Sequence, residues 1–338
     1  MVDVEEGTVK VDFIKGHMGG NQIVLVRGDQ VPAGREVDVA LSLLGPLSVA
    51  GHQVGILYPA ASGGDIRVKI VGLATQGVIS MCGGLTQVLG KLAIEFEWSD
   101  LVKLVVKEPI TPLNLETDAG HVGIRIHVSG GQVARVFTDM TTFVRETYQL
   151  GVSAISVGLM KAMRVGKFLV LAADELLRWY PHADLEAMPP ETKRLLIKLQ
   201  KDFQAATPPP NTDFAVYDLH PKHGGAARAV YPHDIARGHI EPTCGTGAIA
   251  VAMAMAIAGQ GPFAACSRPG RVTLELETGG HGGLGGPQTT TVDVGLDGYN
   301  LVDAGFSHSV VEIIARGEAW VPGSCLEPRP SEKGRVAP

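Results

Sequence analysis

Aromatic side chains are scarce in this sequence, at 5% of 338 residues, and no stretch of it is strongly basic. With a formal net charge of -6 there is no electrostatic footprint for nucleic acid. Cysteines are few: Cys82, Cys244, Cys266 and Cys325, none in a C-x-x-C pair. No histidine pair sits at zinc-ligand spacing either, so no metal site is expected. Met1 to Lys10 is acidic and polar, which does not read as a secretory leader. A cytoplasmic protein with reduced thiols is therefore expected. Thr243 to Cys266 carries no charge, but Gly259, Gly261 and Pro262 interrupt it. Its apolar core falls short of the roughly 20 residues that a membrane span needs, so no membrane partner is expected.

Glycine is abundant instead, with 43 residues, and points to many strands joined by tight turns. Alternating or β-branched runs predict strands at Thr8–Lys15, Gln22–Arg27, Gly55–Tyr58, Ile66–Val71 and Val78–Met81. Further strands are predicted at Leu101–Val106, His121–Val128, Val133–Asp139, Asp213–Leu219, Ala226–Tyr231, Arg271–Glu277, Thr289–Val294 and Val311–Arg316. Helical spacing marks Ala33–Leu44, Leu85–Phe96, Phe168–Arg178 and Glu191–Gln204. Gly247–Ile257 reads as a helix buried on every side, since it lacks any charge. Gly279–Gly286 reads as a mobile glycine-rich loop, and the Pro/Arg/Glu-rich tail from Gly323 as disordered.

The chain repeats itself. Met81-Cys82-Gly83-Gly84 precedes a buried helix, a strand and then Glu116-Thr117. Thr243-Cys244-Gly245-Thr246-Gly247 precedes a buried helix, a strand and then Glu277-Thr278. The cysteines are 162 positions apart and the Glu-Thr pairs 161 apart. Each cysteine is thus expected at the N-terminus of a helix, one per half. A helix N-terminus offers unpaired N–H groups and a positive dipole end, which favour thiolate and bind anions. Facing each other, two such ends make a cleft with a thiol on each wall. A proton beside a carboxylate could leave to one thiol and return from the other, with no cofactor. Most free cysteines are simply small buried hydrophobes, which suits Cys266 and Cys325. A lone-cysteine hydrolase would not need two duplicated frames.

These residues resemble the diaminopimelate epimerase family and its superfamily, which includes proline racemase. Lys15-Gly16-His17-Met18-Gly19-Gly20-Asn21 looks like the family's opening motif, and Met81-Cys82-Gly83-Gly84 like its first-cysteine motif. Arg237-Gly238 followed by Thr243-Cys244-Gly245-Thr246-Gly247-Ala248 is similar to its second-cysteine motif. Val311 to Glu318 resembles its closing strand. The resemblance implies an α+β fold of two pseudo-symmetric domains, each a barrel-like sheet around a central helix. It divides the chain into 1–148, 149–305, a closing strand at 306–322 and a tail at 323–338. Cys82 and Cys244 would be catalytic, and Asn21, Gly83, Gly84, Asn211, Arg237, Gly245 and Thr246 would bind a small carboxylate. A homodimer is left open.

The departures lie in amino-group recognition. Gly84 replaces an Asn, Val71 or Gly72 another, Leu159-Met160-Lys161 an Asn-Pro-His, and Ala236 a Glu. The leading expectation is therefore an isomerase that shifts a double bond in an unsaturated acid. Its first rival is an amino-acid epimerase, with His233, His239, Glu241 or Asp234 as substitute ligands. A second rival is a non-catalytic binding protein of the same fold. Arg237 is assigned evenly to a second substrate carboxylate or to holding the second-cysteine loop. If the thiols face each other, mild oxidation joins Cys82 to Cys244, abolishes activity, and is reversed by a reductant. Peptide mapping of the oxidised protein checks the link, and full activity in the disulfide form would sink the relay.

Overall fold

The computed structural model describes residues 4–5, 8–96, 98, 101–102, 104–206, 213–232, 240–264, 270–278 and 288–323. Mixed strands and helices follow one path twice. In the first half, Thr8–Met18 and Asn21–Arg27 form a hairpin. A crossover helix, Glu36–Leu44, then brings Gln53–Tyr58 parallel to Asn21–Arg27. Ile66–Gly72 returns antiparallel, helix Gly83–Glu95 follows, and Ile110–Thr117 comes back parallel to Ile66–Gly72. Strands Gly120–Ser129 and Gln132–Asp139 complete a meander.

The second half retraces this order. Met160–Val165 and Phe168–Ala172 form the hairpin, and helices Ala173–Trp179 and Pro190–Ala206 make the crossover to parallel Asp213–Asp218. Ala227–Val230 returns antiparallel, helix Gly245–Ile257 follows, and Gly270–Thr278 comes back parallel. Gln288–Asp297 and Asn300–His308 form the meander. The halves are stitched where Gly305 and Phe306 pair with Asp139 and Thr138. Val311–Pro322 then crosses back and pairs along the whole of Thr8–Met18.

Each central helix has its own core. Leu85, Val88, Leu89 and Leu92 of the first meet Ile14, Ile23, Leu25, Val68 and Ile124. The second is buried from Gly247 to Ala256 among Phe168, Val170, Ala215, Leu274, Val292 and Phe306. Its small alanines let strands approach from every side, which explains the missing polar face. Among the described residues only Gly245–Phe263 is long and apolar enough to cross a membrane. Here that stretch starts with the central core helix.

The repeated Glu-Thr pair has a structural role. Glu116 accepts hydrogen bonds from the N–H groups of Ala61, Ser62 and Gly64 at 2.9, 2.6 and 2.8 Å. Glu277 accepts from His223 and Gly225 at 2.6 and 3.2 Å. The strand partner of Glu116 is Arg67, and that of Glu277 is Arg228. Even the glycines match: a Cβ on Gly64 would stand 2.7 Å from Glu116 Cγ, and one on Gly225 2.9 Å from Glu277 Cγ. Each carboxylate ties down the loop that leads into the strand beside it.

Two elements differ from the sequence expectation. Phe168–Arg178 is not one helix: Phe168–Ala172 is a buried strand, and the helix begins at Ala173. A fully buried apolar run lacks the alternation that would reveal a strand. The described residues of Leu101–Val106 form no strand, and the strand lies at Ile110–Thr117 instead. The glycine-rich loop and all but the first residue of the tail fall outside the described residues.

Backbone N–H groups hold the Glu116 carboxyl at about 2, below its ordinary 4.5. Because the folded value is depressed, this contribution is present in full above about 4.5 and fades as pH falls towards about 2. Glu116→Gln should therefore lower the thermal midpoint at neutral pH, with the gap to the parent closing through that window. Calorimetry across pH checks this, and a gap that stays constant would contradict it.

Candidate active site

Cys82 and Cys244 occupy the same backbone conformation, φ/ψ -141°/115° and -140°/117°, as the N-caps of the two central helices. Each thiol sulfur accepts a hydrogen bond from the helix's third N–H: Leu85 to Cys82 at 3.4 Å, and Gly247 to Cys244 at 3.3 Å. Both helices run 13 residues. Their N-terminal ends abut. A Cβ placed on Gly83 would lie 3.1 Å from the Gly245 Cα and 2.9 Å from the Phe306 ring. One placed on Gly245 would lie 2.5 Å from the same ring. Both positions thus need glycine for close approach, with Phe306 as the shared floor.

A two-residue turn, Gly19-Gly20, with φ 55° and 96°, delivers Asn21 to this junction. Asn21 Nδ2 donates to Glu241 Oε1 at 2.7 Å, and Asn21 Oδ1 lies 3.1 Å from His52 Nδ1. A Cβ on Gly84 would come 3.3 Å from Asn21 Nδ2, so Gly84 leaves room for that amide. Glu241, itself buried, is hydrogen-bonded to Cys244. Cys244 Sγ also lies 3.3 Å from the Thr246 hydroxyl. Lys167, at the start of strand Phe168–Ala172, pairs with Asp213 at 3.2 Å and interacts electrostatically with Cys244 and Glu241.

A cavity of about 230 Å³ opens here, lined by Met81, Thr246, Lys167, Phe143 and Thr147 among others. It therefore touches the residue before one cysteine and the second residue after the other. That volume suits a compact ligand. A groove of about 590 Å³ lies elsewhere, along Arg125, Phe137, Arg271 and Asp303, and is lined by neither cysteine segment.

Burial dominates the electrostatics. It pushes the Cys82 thiol up to about 12, with the Glu241 carboxylate adding and the Leu85 and Gly84 N–H groups opposing. Cys244 is raised well above the ordinary thiol range by burial and then by Glu241, against its bonds from Thr246 and Gly247. A helix N-terminus favours an anion by at most about 2 kcal/mol, even in a partly buried setting. Desolvating a charge costs several kcal/mol. The thiolate expected from the helix ends alone is thus outweighed. Burial, with Asp213, also lifts the Glu241 carboxyl to about 8. Burial disfavours the Lys167 ammonium, but Asp213, Cys244 and Glu241 more than restore it, so the group stays charged.

Of the residues singled out in the sequence, Cys82, Gly83, Gly84, Asn21, Cys244, Gly245 and Thr246 converge at this junction. Asn211 and Arg237 lie outside the described residues, as do His233, Asp234, Ala236 and His239. Val71 is buried in a core against the crossover helix Glu36–Leu44. Leu159 sits in an exposed hairpin turn. Lys167 and Asp213 were missed, because the helix predicted from Phe168 hid the strand entrance that Lys167 occupies.

No family model matches the chain. A diaminopimelate epimerase of Bacteroides thetaiotaomicron is 28% identical over 133 residues, 39% of this chain and 46% of that protein. The match thus spans about half of that curated relative. Among solved structures, a hydroxyproline epimerase from Agrobacterium vitis, with bound trans-4-OH-L-proline, superposes with a TM-score of 0.64 at 15% identity. That likeness covers 93% of this chain and 92% of the other. A methylitaconate-delta-isomerase superposes with a TM-score of 0.59 at 12% identity, over 96% and 99% of the two chains. The fold is therefore that of the diaminopimelate epimerase and proline racemase group.

Glu241→Gln keeps an acceptor for Asn21 and removes the carboxylate that raises both thiols. Both thiol titrations should then move down, read by thiolate ultraviolet absorbance against pH. Glu241→Ala removes the shorter of the two hydrogen bonds that Asn21 Nδ2 donates, leaving that to the Thr243 carbonyl at 3.5 Å, and should cost about 1–3 kcal/mol in stability. Unmoved thiol titrations in the Gln variant would show that burial alone sets them.

Proposed function

We propose that the chain is a cofactor-independent isomerase in which Cys82 and Cys244 exchange a proton beside the carboxylate of a small substrate. The observation that carries this is the matched pair of N-cap cysteines on helices that meet end to end. A binding protein has no need of two thiols in one backbone geometry.

In the working state one cysteine is thiolate and the other thiol. Glu241, bonded to Cys244, accepts the proton that makes the first of these. The thiolate takes the substrate proton, and the C–H electron pair delocalises into the adjoining carboxylate. The opposite thiol returns a proton to the same carbon on its other face, or to the far carbon of an allylic system. The first outcome inverts a centre and the second moves a double bond; neither changes oxidation state. Reduced thiols are required, in keeping with a cytoplasmic setting.

The leading reading is the double-bond shift in an unsaturated acid. The family's amino-group ligands are replaced at Gly84 and at Leu159 to Lys161, where Leu159 stands in an exposed hairpin turn and Met160 and Lys161 open the strand that follows. One observation favours amino-acid epimerisation instead. Glu241 and Asn21 place a buried carboxyl and an amide beside Cys244, where a substrate ammonium could be held.

Proton NMR in D2O with reductant, over a panel of amino acids and unsaturated mono- and dicarboxylic acids, tests the proposal. Deuterium should enter one acid, and Cys82→Ala or Cys244→Ala should slow entry by about 10²–10⁴. Deuterium with a moved double bond supports the first reading, and deuterium at an α-carbon the second. Exchange that survives both substitutions would end the two-thiol mechanism.

A further inference from the structure

Neither the family resemblance nor the repeat assigns a role to Lys167. It is the one cation among the described residues lining the cavity that reaches Met81 and Thr246, the neighbours of the two cysteines. The remaining charged groups there are Asp139 and Glu146, both exposed and so screened by water. Lys167 is half-buried at the mouth of strand Phe168–Ala172, following Gly166, whose φ of 60° turns the chain into the strand. The strand is parallel to Asp213–Asp218, and Phe168 pairs with Asp213. The register therefore sets Asp213 beside Lys167, where its carboxylate takes the ammonium at 3.2 Å.

We infer that Lys167 is the anchor for the substrate carboxylate, which displaces Asp213 from the ammonium and is steadied by the Thr246 hydroxyl across the cavity. The inference rests on the reading that this site takes a carboxylate, and it names the residue that selects for one.

Three features support it. The cavity reaches Lys167, Met81 and Thr246 together, so an acid held there lies between the cysteine segments. The ammonium interacts with Cys82, Cys244 and Glu241. A bound acid would thus be close to the proton-transfer groups. Asp213 acts as a placeholder: it keeps the ammonium charged and leaves when another carboxylate arrives. Lysine suits that exchange better than arginine's rigid two-point fork, because its ammonium can turn among acceptors. It binds and orients, and the thiols move the proton.

The test compares iodoacetate, which carries a carboxylate, with iodoacetamide, its neutral counterpart. Alkylation of Cys244 is followed by mass spectrometry in the full-length protein. The parent should favour iodoacetate over iodoacetamide more than a free thiol does. Lys167→Met should cut that preference by about tenfold; the loss of its charge from beside the thiols changes the rate with both reagents, and the ratio of the two rates cancels that shared change. Lys167→Arg should keep most of the preference. Asp213→Asn should raise it, because the competing carboxylate is gone, whereas a merely structural ion pair would give no such gain. An unchanged ratio of the two rates in Lys167→Met, whose fold is checked by circular dichroism, overturns the inference.

The two proposals can fail separately. Deuterium exchange with an unchanged alkylation preference removes the anchor and leaves the isomerase. A lost preference with no exchange on any acid keeps the anion site and removes the proton transfer.

Discussion

Two helix ends that touch through glycine are the constraint on which the rest of this molecule turns. Gly83 and Gly245 approach until a single added Cβ would meet the opposing backbone or the Phe306 ring. A side chain at either place would wedge the helices apart, and the N-cap sulfurs would lose their common neighbourhood. The surrounding architecture serves that contact. The same strand-helix-strand path is run twice, so that two helices start from equivalent turns. Strand Asn300–His308 carries Phe306 beneath both starts and pairs at Phe306 with the other half. Strand Val311–Pro322 then closes over Thr8–Met18.

Burying that contact creates an electrostatic problem. Two thiols and a carboxyl share a region with little water, where each anion is costly. The helix ends help, but their dipoles are too weak to offset burial. What remains is a small set of compensating groups: N–H donors to each sulfur, Asn21 on Glu241, and the Lys167 ammonium within reach of all three acids. These groups titrate as a coupled set, so a proton lost from one is felt by the others. Such a site can move a proton among its members at low cost while resisting a second negative charge.

The sequence exposed the duplicated parts of this design and hid the unique ones. Cysteine, glycine and the Glu-Thr pairs recur at nearly constant offset, so the helix starts and the loop-fixing carboxylates could be read without coordinates. The Glu116 and Glu277 anchors extend that repeat to Arg67/Arg228 and Gly64/Gly225 at the same spacing. Lys167 has no such echo. It stands before an apolar run, Phe168 to Ala172, in which every second side chain is as buried as its neighbours, so periodicity gives no sign of a strand. Glu241 was visible only as one polar residue among several near a loop. Its importance comes from contacts more than 200 positions away in sequence, to Asn21, and no local pattern encodes them.

The symmetry of the backbone is broken by its side chains, and all on one side. Cys82 is followed by two glycines, whereas Cys244 is followed by glycine and threonine. Among the described residues the first thiol is hydrogen-bonded by N–H donors of its own helix alone and feels Glu241 and Lys167 through their charge, while the second is also hydrogen-bonded to the Thr246 hydroxyl and the Glu241 carboxyl. Identical φ and ψ at the two caps therefore do not make the thiols equivalent. The second half supplies the buried carboxyl, the hydroxyl and, at the entrance of strand Phe168–Ala172, the ammonium. The first half supplies a thiol in a plainer setting, and Asn21 to hold Glu241 in place. Duplication built the pair of walls, and in the proposed proton relay the difference between them would set the direction in which the proton moves.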